Sequence, residues 1–129
     1  MHRTSIYILY FPIYPGYISS HSPNIIIDTG VNNSLREFAA LLDLVNVLVT
    51  GDTLALHLSN ALKKKVVAIF GPTSADEIYL YHGTKILPSV VCQCYYKGKC
   101  EATTSCMESI SPSMVCDAIV KLLKNSHLK

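Results

Sequence analysis

Val45-Asn46-Val47-Leu48-Val49 running into Thr50-Gly51-Asp52-Thr53, and Val66-Val67-Ala68-Ile69-Phe70 running into Gly71-Pro72-Thr73, decide the fold. Both runs are apolar at nearly every position and rich in β-branched residues, so neither reads as a strand with one wet face. Strands buried on both faces belong to parallel sheets covered by helices. Between them, Thr53 to about Lys63 has room for a helix, with Asp52 as its cap and Leu54, Leu58, Ala61 and Leu62 as its apolar stripe. Strand, helix and strand with a single crossover predict that 45–49 and 66–70 are adjacent and parallel in a right-handed unit.

The same alternation extends outward. On the N-terminal side Ile25-Ile26-Ile27 ends at Asp28-Thr29-Gly30, and Asn33 or Ser34 caps a helix through Leu35, Phe38, Ala39, Leu41 and Leu42. On the C-terminal side the spacing allows a short helix over Asp76–Tyr81 and a last strand over Ile86–Val91, broken by Pro88. Ser111-Pro112 opens a closing helix, Ser as N-cap and Pro in the first turn, with Val115, Ile119, Leu122 and Leu123 on its apolar face. Residues 1–24 sustain neither period and carry Pro12, Pro15 and Pro23, which reads as an irregular segment or one edge strand. The domain is therefore expected over 25–124: a Rossmann-like α/β parallel sheet with flanking helices and a Cys-rich loop at 92–106.

Composition bounds the function. The chain has 129 residues, is 50% hydrophobic and 16% charged, and carries a net charge of +2. That excludes a disordered tail and gives no clustered basic face for nucleic acid. The apolar run Ile6–Phe11 stops at Pro12, far short of the roughly 20 residues a membrane span needs. Pro12 and Pro15 also make a poor signal peptide. There are five cysteines, and an odd count without a secretory signal argues for the reducing cytoplasm rather than a disulfide framework.

Ligands of open parallel sheets bind outside the carboxyl ends of the strands. Three such ends are expected here: Asp28-Thr29-Gly30, Thr50-Gly51-Asp52-Thr53 and Gly71-Pro72-Thr73-Ser74. Each alone is accounted for by a tight turn and a helix cap, but three on one sheet edge suggest a binding site. A helix opening at Thr53 would offer unpaired N–H groups and a partial positive charge to a phosphate. Asp52 would repel a phosphate, so it suits capping or sugar hydroxyls. His57 lies four residues after Thr53 on the same helix face. It fits either the cleft or a partly buried structural place. No P-loop, dinucleotide fingerprint or nucleophile elbow is present. Lys63-Lys64-Lys65 reads as a solvated helix end.

Ser34-Leu35-Arg36-Glu37-Phe38-Ala39-Ala40-Leu41-Leu42, Val49-Thr50-Gly51-Asp52-Thr53, His57-Leu58, Ala61-Leu62, Phe70-Gly71-Pro72-Thr73, Cys106-Met107 and Ile110-Ser111-Pro112, in that order, resemble glycosyltransferase family 9, the heptosyltransferases of lipopolysaccharide synthesis. The resemblance runs from about Ile25 to Leu123. It implies the C-terminal, donor-binding half of a two-domain GT-B enzyme of inverting mechanism. It also implies an ADP-heptose or similar nucleotide-sugar donor and a lipid-linked or saccharide acceptor. Localisation would then be cytoplasmic, compatible with a peripheral position at the membrane. The family's donor roles map onto Asp52, Thr53, Leu54, Ala55 and His57, with Gly30 and Thr73 on the neighbouring strand ends. Family members usually carry Gly where Leu54 stands and Ala where Ser59 stands. The acceptor site and general base belong to an N-terminal half for which this chain has no room, so the expectation is donor binding without turnover.

Cys92, Cys94, Cys100 and Cys106 offer four thiolates, enough for a tetrahedral structural zinc. Their spacing is not the paired C-x2-C form, which leaves thiols or a disulfide open as alternatives. Transfer itself would require no cofactor if helix amides and basic groups neutralise the leaving diphosphate. The rival function is a non-catalytic interaction module that keeps the nucleotide-sugar fold and uses the cysteine loop as a metal-stabilised contact surface.

Overall fold

The computed structural model describes residues 32–91, 94, 96, 97 and 100–125. The expectations for 1–24, for the Ile25–Ile27 strand and for Asp28-Thr29-Gly30 lie outside these residues.

Helix α1 spans Leu35–Leu44 and opens on a full capping box. The Ser34 N–H donates to Glu37 Oε2 at 2.8 Å, and the Glu37 N–H donates to Ser34 Oγ at 3.3 Å. Strand β1, Val47–Thr50, follows, then helix α2, Leu54–Ala61, and strand β2, Lys65–Ile69. Strand β3 is Gly83–Ile86, and helix α3, Pro112–Lys124, is the last described element, with Ser111 as N-cap. The sheet order is β1-β2-β3, and both pairings are parallel. Leu48 lies opposite Val66, Val49 opposite Val67, and Ile69 opposite Ile86. The parallel pairing expected from the single crossover is therefore present.

Period-two alternation sends successive strand residues to two separate cores. Leu48, Val66, Ala68 and the following Phe70 pack with Leu42, Val45, Ala55 and Leu56 beneath α1 and α2. Val47, Val49, Val67 and Ile86 pack with Ala118 and Ile119 of α3 on the opposite face. All four residues of β1 are buried, which is why the sequence there shows a continuous apolar run. Each full burial of a Val or Leu side chain contributes about 1.5–3 kcal/mol before the entropy of ordering it is subtracted.

Four expectations are corrected. Asp52 does not cap α2. The N-cap is Thr53, in extended conformation and without a side-chain cap bond, because its Oγ1 lies 2.9 Å from Thr50 Oγ1 instead. The buried face of α2 is Ala55, Leu56 and Ser59, whereas Leu54 and Leu62 are exposed. Leu54, Leu58 and Leu62 lie on one face of the helix and Leu56 on the opposite one, so the leucines alone mark two faces. The small Ala55 and Ser59 let the helix settle closest to the sheet on their side.

Residues 76–81 form no helix. The Asn60 side chain receives this segment like a peptide group: its Nδ2 donates to the Tyr79 carbonyl at 2.6 Å and its Oδ1 accepts from the Tyr81 N–H at 3.0 Å. The last strand also lies earlier than Ile86–Val91. It begins at Gly83, where an added Cβ would sit 2.4 Å from the Val66 carbonyl oxygen. Only glycine permits that approach.

Helix α2 ends in a Schellman arrangement, with Lys63 N–H donating to the Asn60 carbonyl at 3.0 Å and Lys64 N–H to the Ser59 carbonyl at 2.9 Å. Lys63 takes the left-handed conformation there, φ 55°. Among the described residues no helix is long and apolar enough to cross a membrane.

Candidate functional site

Parallel register puts the carboxyl ends of all three strands on one edge of the sheet. The first turn on that edge is Gly51-Asp52-Thr53. A Cβ on Gly51 would lie 3.7 Å from the Ile69 carbonyl, so this turn is seated against the end of β2. The Thr50–Thr53 hydroxyl contact fixes the chain as it enters α2. Since Thr53 gives no side-chain cap, the first-turn amides of α2 are left for other acceptors. Asp52 Oδ1 lies 3.6 Å from His57 Nε2, with side-chain exposures of 24% and 58%. The exposed His57 therefore belongs to this edge and is not a buried structural residue. The pair attracts whenever the imidazole is protonated, but at this exposure the attraction is weak.

A second feature occupies the other half of the edge. A cleft of about 280 Å³ opens between Phe70, Gly71 and Thr73 after β2 and Leu87, Pro88 and Ser89 after β3. The Lys85 ammonium donates to the Ala75 carbonyl at 2.5 Å and ties the β2 loop to β3. A Cβ on Gly71 would meet Met107 Sδ at 2.4 Å and Cys106 Sγ at 3.4 Å, so a side chain there would require the Met107 side chain to shift. The cysteine-rich segment is thus laid over the turn that forms one cleft wall.

The structure brings Asp52, Thr53, Leu54, Ala55 and His57 together on the β1–α2 turn. Ala55 is buried and can offer only its amide, whereas the Leu54 side chain is exposed. Thr73 lines the cleft instead, and none of residues 51–57 does. Gly30 lies outside the described residues. Leu87 and Ser89 are cleft residues that the sequence reading did not find, since Pro88 reads there as a break in a strand rather than as a loop following one.

Cys94, Cys100 and Cys106 share one packed cluster, and Cys92 lies outside the described residues. Among the described residues no group of three or more His, Cys, Asp or Glu side chains is placed to hold a metal ion.

Comparison with known proteins accords with this geometry. The family model described as glycosyltransferase family 9 (heptosyltransferase) matches residues 29–110. The chain belongs to glycosyltransferase family 9. The matched stretch covers the sheet, the Asp52–His57 turn, both cleft walls and the cysteine segment. The chain is also similar to lipooligosaccharide heptosyltransferase 2 of Campylobacter jejuni subsp. jejuni, serotype O:2, at 32% identity over 87 residues. That match takes in 64% of this chain and 27% of the relative, so the chain spans about a quarter of the curated protein it matches. No solved structure matches the chain.

Proposed function

We propose that this chain is the donor-binding part of a heptosyltransferase-like enzyme of GT-B architecture that acts in cell-envelope glycan synthesis in the cytoplasm. The observation that carries the proposal is the β1–α2 turn: a helix start without a side-chain cap, flanked by a carboxylate and an imidazole, at the carboxyl edge of a parallel sheet. The amides of Leu54, Ala55 and Leu56 would receive the diphosphate of a nucleotide-sugar, aided by the helix dipole. Asp52 would accept hydrogen bonds from sugar hydroxyls. His57, when protonated, adds positive charge where the leaving diphosphate gains negative charge. Membership of the family, and a relative named as a lipooligosaccharide heptosyltransferase, support a heptose-type donor and a saccharide or lipid-linked acceptor.

Transfer would proceed by attack of an acceptor hydroxyl on the anomeric carbon with inversion. That step calls for a base on the acceptor side. His57 stands on the donor side of this reading, so the chain by itself should bind donor without turning it over. A ligand that binds only the folded state raises its melting temperature. In a thermal-shift panel of nucleotide-sugars at least one member should raise Tm, Asp52→Ala should weaken that binding, and His57→Ala should weaken it equally or less. If no nucleotide or nucleotide-sugar binds, the interaction-module reading replaces this one. Rapid sugar transfer by the 129-residue chain would refute the assignment of His57 to the donor side alone.

A further inference from the structure

Helix α2 begins at a residue poised for a cap that it does not make. Thr53, the N-cap, has ψ 171°, the extended conformation from which a serine or threonine hydroxyl accepts from the N–H of the second or third helical residue. Ser34 and Ser111 are extended in the same way, and their side chains accept from the Glu37 and Met114 N–H groups. The Thr53 hydroxyl instead lies 2.9 Å from the Thr50 hydroxyl. Thr50 ends β1, opposite Ala68, and is only 8% exposed. A hydroxyl enclosed there must take its partner from the chain. Thr53 is exposed, so its hydroxyl can turn to water, to Thr50 or to the first turn of α2. Orphaning a buried hydroxyl costs more than a neutral cap bond returns, and Thr50 therefore holds the Thr53 side chain.

We propose that Thr50 is a positioning residue: it draws the Thr53 hydroxyl away from the first turn of α2 and so keeps the Ala55 and Leu56 amides open to a diphosphate. The proposal takes its ligand from the donor-binding reading above and its mechanism from the hydroxyl contact alone. Ala55 and Leu56 are the second and third residues of α2, whose N–H groups are the two that an N-cap hydroxyl serves. A diphosphate brings charged oxygen acceptors, which bond to N–H groups more strongly than a neutral hydroxyl does. If Thr53 capped the helix, the ligand would first have to displace that bond. One N-cap bond is worth about a factor of five in an equilibrium, and that factor would be lost from the affinity. Thr50 touches no ligand in this arrangement and acts only through Thr53. Removing its hydroxyl while keeping its shape therefore gives the helix its cap and costs the site affinity, so amide protection rises as binding falls.

The test compares Thr50→Val, Thr50→Ser and the double variant Thr50→Val/Thr53→Ala with the parent 129-residue chain. Valine copies the shape of threonine and leaves no buried hydroxyl unpaired, so Thr50→Val should fold. Amide hydrogen exchange, followed by NMR without any ligand, reads the cap directly. In Thr50→Val the Ala55 or Leu56 amide should exchange about fivefold more slowly than in the parent, the equivalent of one N-cap bond. Thr50→Ser keeps the hydroxyl and should match the parent. The double variant has no hydroxyl to offer the helix and should return to the parent rate. Titration with inorganic pyrophosphate should follow in mirror image: about fivefold weaker for Thr50→Val, restored in the double variant and unchanged in Thr50→Ser. Exchange in Thr50→Val that is unchanged or faster, slowing that persists in the double variant, or slowing in Thr50→Ser would each overturn the role of Thr50. So would pyrophosphate affinity that stays constant while exchange slows. A parent that binds neither pyrophosphate nor any nucleotide removes the donor reading instead, and the ligand-free exchange rates still decide whether Thr50 withholds the cap.

Discussion

Ser59 stands on the sheet-facing side of α2 with no exposed surface, and its Oγ is buried without a hydrogen-bond partner among the described residues. Three effects decide what Ser59→Ala does. An unsatisfied buried hydroxyl costs about 1–3 kcal/mol. Alanine is better than serine inside a helix by about 0.5 kcal/mol. Against these, removing one oxygen atom forfeits a set of contacts worth about 0.1–0.2 kcal/mol each, roughly 1 kcal/mol for a fully enclosed atom. The Cβ stays, and so does the Ser59 carbonyl that accepts from Lys64. The first two effects exceed the third, so the variant should gain about 1 kcal/mol, which raises Tm by about 4 °C for a chain of 129 residues. Thermal melting by circular dichroism and urea unfolding should agree, with a higher urea midpoint at an unchanged slope. A lower Tm would show that the hydroxyl is satisfied in solution and that the accounting is wrong. Ser59→Thr sharpens the test. It keeps the hydroxyl and adds a methyl to a filled site, so it should lose about 1–3 kcal/mol.

Two further outcomes follow from the same geometry. Gly83→Ala drives a Cβ to within 2.4 Å of the Val66 carbonyl oxygen, a ladder atom that cannot rotate away, so the variant should lose about 1–3 kcal/mol; urea midpoints equal to the parent's would dismiss the close-approach argument. The Ser34 hydroxyl and then its backbone N–H hold the Glu37 carboxyl below its ordinary value of 4.5. A pKa lowered by folding adds stability above the unfolded value and loses it as pH falls through the folded one. Stability should therefore decline below about pH 4.5, and Glu37→Gln should flatten that part of the profile; an unchanged acid slope would remove the capping box as its source.

The sequence by itself determined the βαβ core of this protein. Val47–Thr50 and Lys65–Ile69 are buried on both faces, and continuous burial leaves a continuous apolar run that can be read one residue at a time. Ser34 and Ser111 were legible as caps for a similar reason, since a cap is a contact between residues three apart. The Asp52–His57 neighbourhood was legible because five residues of one turn and one helix create it. What required the tertiary structure was everything set by distant partners. Helix α2 offers Leu54, Leu58 and Leu62 on one face and Leu56 on the opposite one, and its buried face was decided by how closely Ala55 and Ser59 could approach the sheet. Residues 76–81 were claimed by the Asn60 side chain from another element. Strand β3 has little apolar pattern of its own and exists because Gly83 lets its backbone close on Val66. The cleft and the thiol cluster arise where loops after two different strands, and a segment some thirty residues further along, are folded against Gly71. No local period records such meetings, because their free energy belongs to pairs of residues far apart in the chain.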